Sequence, residues 1–393
     1  MQNLSIDAIV TLLLYLIGAP ALLIQNAESD VRFVIDHHLR REIYTRAAWP
    51  AVVGVVLALS LIIIIQVGMW PAMSSILADG ILVVLFSLAI YVSIKVLPIS
   101  RKRDVVIRLR EKMVRQVVEK GTIDDELMQA LVVLGTESKP GNERGWAIRA
   151  LSYITNATVA RSDYSGCRLD KVTDALRKII LGSDRMASQE NYISAVDVLR
   201  PIIQKYYAKH KEDPTFPDGD LYNAFLLLSQ MGQRAVEFPV DGVTSACIDG
   251  LDGRDIPNST ASQGLCEIGI AAIAKDRVGP AREALHILDA LVSSGEDGLC
   301  EDEEIIFDYL ALLAAFWEHT IAGRTEARRY LDDLYTLDEP REDDSTPPED
   351  QPQERLLARL VRQAVRHHTS VGRFTIADNI ADMWQTYTLD YRP

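Results

Sequence analysis

The sequence predicts an all-α fold: three transmembrane helices, N-terminus outside and C-terminus inside, followed by a cytosolic α-helical domain. Three observations carry this. Long uncharged apolar runs crowd the first hundred residues. Lys and Arg gather in the segments on one side of those runs. Beyond residue 120, apolar residues recur at helical spacing, and no alternating β-branched run is long enough to build a sheet.

The middle run, "AVVGVVLALSLIIIIQVGMW" from Ala51 to Trp70, has only Ser60 and Gln66 as polar residues. Twenty helical residues rise about 30 Å, the thickness of a bilayer core. Trp49 and Trp70 bracket the run as interfacial aromatics, and Pro50 and Pro71 stand at its ends. The next run, "ILVVLFSLAIYVSIKVLP", places its one charge, Lys95, where it can snorkel to headgroups. The connector "PAMSSILADG" breaks helix at Pro71 and Gly80, so the two spans form a hairpin. The first run, Ala8 to Ile24, reads as a retained span kinked at Gly18 and Pro20, because a signal peptide requires a basic start and Met1 to Asp7 has none. The transmembrane domain is residues 1–98, with spans at about 8–24, 51–70 and 77–97.

Basic residues in short loops set the orientation. Arg32, Arg40, Arg41 and Arg46 lie between the first two spans, and Arg101, Lys102, Arg103, Arg108 and Arg110 follow the third. The connector has no Lys or Arg. In the loop 26–47, Val31, Ile35, Leu39 and Ile43 form one helical stripe with the arginines off it, which predicts an amphipathic helix lying on the inner leaflet. Residues 99–120 continue the third span as a basic stalk. These arginines and lysines, with Lys95, are the expected contacts to anionic lipid headgroups.

Charge is segregated. Residues 1–120 carry 13 basic and 9 acidic side chains, while the remainder carries 28 and 46. An acidic body has no footprint for nucleic acid. Arg exceeds Lys by 30 to 11, which is compatible with a prokaryotic source. Cys167, Cys247, Cys266 and Cys300 lack metal-ligand spacing and read as free cytosolic thiols in or near the core.

The body spans 121–336. Its helical segments include "IDDELMQALVVLGTE", "ERGWAIRALSYIT", "RLDKVTDALRKIILG", "SQENYISAVDVLRPIIQKYYAK", "LYNAFLLLSQMGQRAVE" and "ASQGLCEIGIAAIAKD". "AREALHIL" at Ala281 and "ARRYLDDL" at Ala327 share Ala-Arg and Leu at +4 and +7, 46 residues apart, and each follows a more apolar helix. That is the length of a helical-hairpin repeat. The pairs loosely resemble tetratricopeptide or HEAT-type solenoids, without the signature residues of either. An irregular helical bundle is the other reading. Residues 337–354 form an acidic, proline-rich linker, and 355–393 a C-terminal helical hairpin that either caps the array or reaches another subunit.

No catalytic, cofactor or metal signature is found: no phosphate loop, no G-x-S-x-G, no H-E-x-x-H. The pairs His37-His38 and His367-His368 read as surface residues, since neighbours on a helix diverge by about 100°. "DGLDGRD" at Asp249 lacks the acids of a calcium loop and reads as a turn. The leading expectation is a multi-pass cell-membrane protein, most of its chain cytosolic, anchoring a scaffold or sensor domain for a protein partner. The alternative is a homo-oligomeric channel or membrane-permeabilising effector, its pore lined by Ser60, Gln66, Ser87 and Ser93 with a ring of Asp79 at the outer mouth.

Overall fold

The computed structural model describes residues 2–66, 71–95, 101–136, 142–166, 168–182, 187–238, 241–252, 258–294, 299–337 and 356–390. The regular secondary structure of these residues is all helical, with no strand among them. They form two compact units, Met1–Thr158 and Val159–Pro393.

The first unit opens with α1 (Gln2–Asn26) and α2 (Ser29–Val34). A π-helical turn, Ile35–Leu39, joins α2 to α3 (Arg40–Gln66), and α4 (Pro71–Lys95) follows. α1, α3 and α4 pack against one another in all three pairings. Leu16, Ala19, Ala58, Leu85, Ala89 and Val92 fill the space between them. Gly54 of α3 sits at the meeting point: a Cβ there would lie 3.1–3.2 Å from side chains of Leu13 and Leu16 on α1 and Leu85 on α4. A residue without a side chain lets three helices approach this closely. Among the described residues one continuous helix, Val31–Ser60, is long and apolar enough to cross a membrane, and Ala8–Ala19 and Asp79–Ile94 are apolar over shorter lengths.

Several expectations need correction here. α4 starts at Pro71 and runs through Gly80 without a break. A single glycine costs a helix about 1 kcal/mol, too little to stop one of this length, whereas Pro at a helix start costs nothing. α3 likewise continues through Pro50. α1 is one helix from Gln2 to Asn26, with which a bend at Gly18 and Pro20 is compatible.

The rest of the unit comprises α5 (Lys102–Lys120), α6 (Asp125–Thr136) and α7 (Asn142–Val159). Gly121 ends α5 in the left-handed region, at φ 68°. Asp124 accepts from the backbone N–H groups of Glu126 and Leu127 and so starts α6. The stripe Val31, Ile35, Leu39 and Ile43 is helical, as expected, but it does not face a leaflet. All four side chains are buried, and α2 packs on α5 and α6. The reason lies on α5, where Val105, Leu109, Met113 and Val117 are buried at the same i, i+4 spacing. One apolar stripe meets protein instead of lipid.

The second unit comprises α8 (Asp170–Leu181), α9 (Gln189–Glu212), α10 (Gly219–Ala235), α11 (Gly242–Gly250), α12 (Ser259–Ile273), α13 (Val278–Val292), α14 (Glu303–His319), α15 (Ile321–Leu337), α16 (Leu356–Ser370) and α17 (Phe374–Asp390). α8, α10, α12 and α14 pack in succession, and α9, α11 and α13 form a second row beside them. Ser188, Asn258 and Asp302 cap α9, α12 and α14 by accepting from backbone N–H groups of the first turn. The first row is also stitched at its helix ends. Arg234 of α10 donates to the Leu181 carbonyl at the end of α8, and Arg277 after α12 donates to the Val236 and Phe238 carbonyls beyond α10. Carbonyls orphaned at a helix end thereby gain charged donors from the next helix.

The 46-residue correspondence has structural content. Ala281, Leu285 and Leu288 of α13 and Ala327, Leu331 and Leu334 of α15 are all buried. α14, sheathed by α12, α13, α15, α16 and α17, buries nearly every residue from Ile305 to Trp317.

Candidate functional site

Arg32, Arg40, Arg41, Arg46, Arg101 and Arg103 of the collar are exposed. Several collar residues, exposed ones included, are engaged within the chain. Arg32 donates to the Gln25 and Ala27 carbonyls at the end of α1. Arg108 of α5 pairs with Glu42 of α3, and Arg46 reaches the same carboxylate at 2.7 Å. Arg110 lies 4.5 Å over the Tyr153 ring of α7. Lys102 is buried. Glu42 is thus the tie that fixes α5 against the base of α3. The Lys95 side chain lies outside the described residues.

The pore candidates do not converge. Ser93 is spent inside the three-helix bundle, where its Oγ lies 2.8 Å from the Tyr15 hydroxyl of α1. Ser60 and Ser87 are exposed and donate back to the carbonyls of Val56 and Val83 one turn earlier. Asp79 is exposed on α4. The Gln66 side chain lies outside the described residues.

The second unit carries two features. The first is an open groove of about 920 Å³ between α13 and α15, lined by Arg282, Glu283 and His286 on one side and Glu326, Arg329 and Tyr330 on the other. Arg282 grips Glu326 through two hydrogen bonds of 2.7 and 2.9 Å, and Ser245 donates to Glu283 at 2.6 Å. The charges are held in fixed positions and alternate in sign.

The second feature is a polar junction where α10, α12 and α14 meet the α16–α17 hairpin. Glu267 of α12 accepts from Ser229 and Gln233 of α10, from Gln263, and from Arg373 in the hairpin loop at 2.8 Å. Ser262 of α12 donates to Asp308 of α14 at 2.7 Å, across the same 46-residue interval. Asp308 is 5% exposed. Burial pushes its carboxyl up to about 7, against the opposing pull of Ser262 and Arg373, with Glu267 and Glu304 adding to the rise.

His368 at the end of α16 is fully buried, which corrects the surface reading of the second histidine pair. Its Nε2–H donates to the Phe307 carbonyl at 3.3 Å. Its Nδ1 finds no partner among the described residues. Burial holds the imidazole below its ordinary range, and the nearby His367 and Arg373 push the same way against the Phe307 bond.

Within this chain the hairpin packs on the array, the arrangement of the first of its two sequence readings; Tyr387 of α17 also donates to Asp332 of α15 at 2.9 Å. Glu267, Asp308, His368 and Arg373 escaped the sequence reading. Two signals were present: Asp308 is a lone charge in "IIFDYLALLAAFW", and His368 completes the stripe Leu357, Leu360, Val361, Ala364.

Cys247, Cys266 and Cys300 are free and buried. Burial raises the Cys247 thiol to about 12 and the Cys266 thiol well above its usual range, so neither is a nucleophile near neutrality. No group of three metal-ligating side chains occurs among the described residues. No family model, curated protein or solved structure matches this chain.

Proposed function

We propose that the protein is a membrane-anchored helical scaffold: α1, α3 and α4 span a bilayer, and the second unit docks a protein partner. The observation that carries the anchor is the outward surface of the three-helix bundle. Most exposed large apolar side chains of the described residues lie between Val10 and Ile94, among them Leu14, Val56, Leu59, Ile63, Phe86 and Ile94. An apolar surface of this extent is unstable in water and suited to lipid. α1 and α4 each have 25 residues, about 37 Å of helix, enough to cross a bilayer core. The exposed collar arginines fit a headgroup layer.

The two rows of the second unit support an irregular solenoid, an architecture that presents extended grooves to partners. The α13–α15 groove, with its fixed charges and the Tyr330 ring, suits a protein segment of mixed charge better than a small ligand. Orientation with the second unit in the cytosol rests on the basic collar.

A photo-crosslinking residue at His286 or Thr325 in the groove of the full-length protein, activated in intact cells, tests this. A discrete adduct from both groove positions and none from exposed Ile193 on α9 is expected. Equal labelling at all three positions, or none at the groove, contradicts a groove-docked partner.

A further inference from the structure

We propose that the α16–α17 hairpin is a proton-released cap on the array, with the buried His368 imidazole as its sensor. The geometry begins at the loop. Gly372, at φ +77°, lets α16 end in a tight turn in which the Arg373 N–H returns to the His368 carbonyl at 2.8 Å. The turn fixes the Arg373 guanidinium against Glu267 of α12 and the His368 ring against the Phe307 carbonyl of α14. A carbonyl only accepts, so Nε2 carries the hydrogen and Nδ1 is a bare acceptor. A second proton must go to Nδ1, where no acceptor lies among the described residues.

The surrounding charges give that proton no compensation. On α16 itself the neighbour is His367, and in the loop it is Arg373. α14 contributes Asp308 and Glu304 to the junction, and α12 contributes Glu267. Glu267 is already held by Arg373, Ser229, Gln233 and Gln263. Asp308 is bonded to Ser262 and carries its own proton below about pH 7. α17 turns Asp378 and Asp382 to solvent. An imidazolium formed here is a buried cation facing a cation, with no free anion.

The sign follows. A histidine whose pKa is lower when docked than when released contributes full docking stability above its ordinary value of about 6.5. That contribution is lost as pH falls below 6.5. Asp308 works the other way wherever release exposes it, because its raised carboxyl favours the docked state as pH falls, so the histidine's contribution is read in an Asp308→Asn background, whose amide keeps an acceptor for Ser262.

Hydrogen–deuterium exchange of the full-length Asp308→Asn protein in nanodiscs, corrected for intrinsic rates, reads the histidine's effect on the cap directly. Between pH 7.5 and pH 5.5, residues 356–390 should lose up to about tenfold in protection while α8–α11 keep theirs. His368→Gln, which keeps a donor for Phe307, should abolish the pH response, and His367→Gln should retain it. Unchanged protection in the Asp308→Asn protein, or a response that survives His368→Gln in that background, overturns the proposal. Should His368→Gln fail to dock at pH 7.5, histidine C2–H exchange of the Asp308→Asn protein decides. A His368 midpoint below that of His367 and coincident with hairpin release supports the cap, and a midpoint at or above 6.5 overturns it.

Discussion

Asp220 orders a loop of the second unit through one buried carboxylate. It is buried at the start of α10 and accepts from the Tyr164 hydroxyl at 2.8 Å and from the backbone N–H groups of Arg168 and Leu169 at 2.9 and 2.8 Å. Its own N–H donates to the Gly166 carbonyl. One carboxylate thus welds the loop before α8 to the start of α10. Asp220→Ala strands two backbone donors and a phenol, and should cost about 2–4 kcal/mol, read as a lower denaturation midpoint for the second unit. Asp163, an exposed carboxylate paired with Arg161 and Arg168, is the control, and its alanine variant should leave the midpoint unmoved. The sequence shows only that Asp220 sits in "PDGD", which reads as a turn and helix start and is one. A carboxylate at an open turn and one bonded to partners 51–56 residues away look alike until those partners are known.

At the scale of elements, the helices were legible and their partners were not. The 3.6-residue periodicity marked most helices of the second unit, and the structure adds their caps at Ser188, Asn258 and Asp302. α11 escaped because nine residues containing Thr, Ser, Asp and Gly carry little periodic signal. The Val31–Ile43 stripe was read correctly as a helix face but assigned to lipid, because periodicity reports a buried face without saying what buries it. Glu267 and Arg373, 106 residues apart, could not be paired from spacing at all. Gly54 belongs to the same class, since its use depends on three helices converging. Gly54→Leu must push apart Leu13, Leu16 and Leu85, and should destabilise the bundle by about 1–3 kcal/mol. Gly18→Leu, placed in open space on α1, should not. Resistance of the full-length protein to unfolding in mixed SDS–mild-detergent micelles distinguishes the two.

The whole molecule joins an apolar helical unit, a basic collar and an acidic helical array on one chain. Composition alone separated the basic first 120 residues from the acidic remainder. The compact division falls later, at Thr158, because α5, α6 and α7 belong with the apolar helices. α5 is both collar and core: Arg101 precedes it and Arg103 faces out from it, while Leu109 and Met113 turn in. The central claim is that α1, α3 and α4 are embedded in a bilayer. Flotation of carbonate-washed membranes carrying the full-length protein tests it most directly, since alkaline carbonate strips proteins held only by charge or by other proteins. The protein should float entirely with the lipid. Release into the carbonate supernatant would contradict a membrane-embedded bundle, and with it the anchored scaffold.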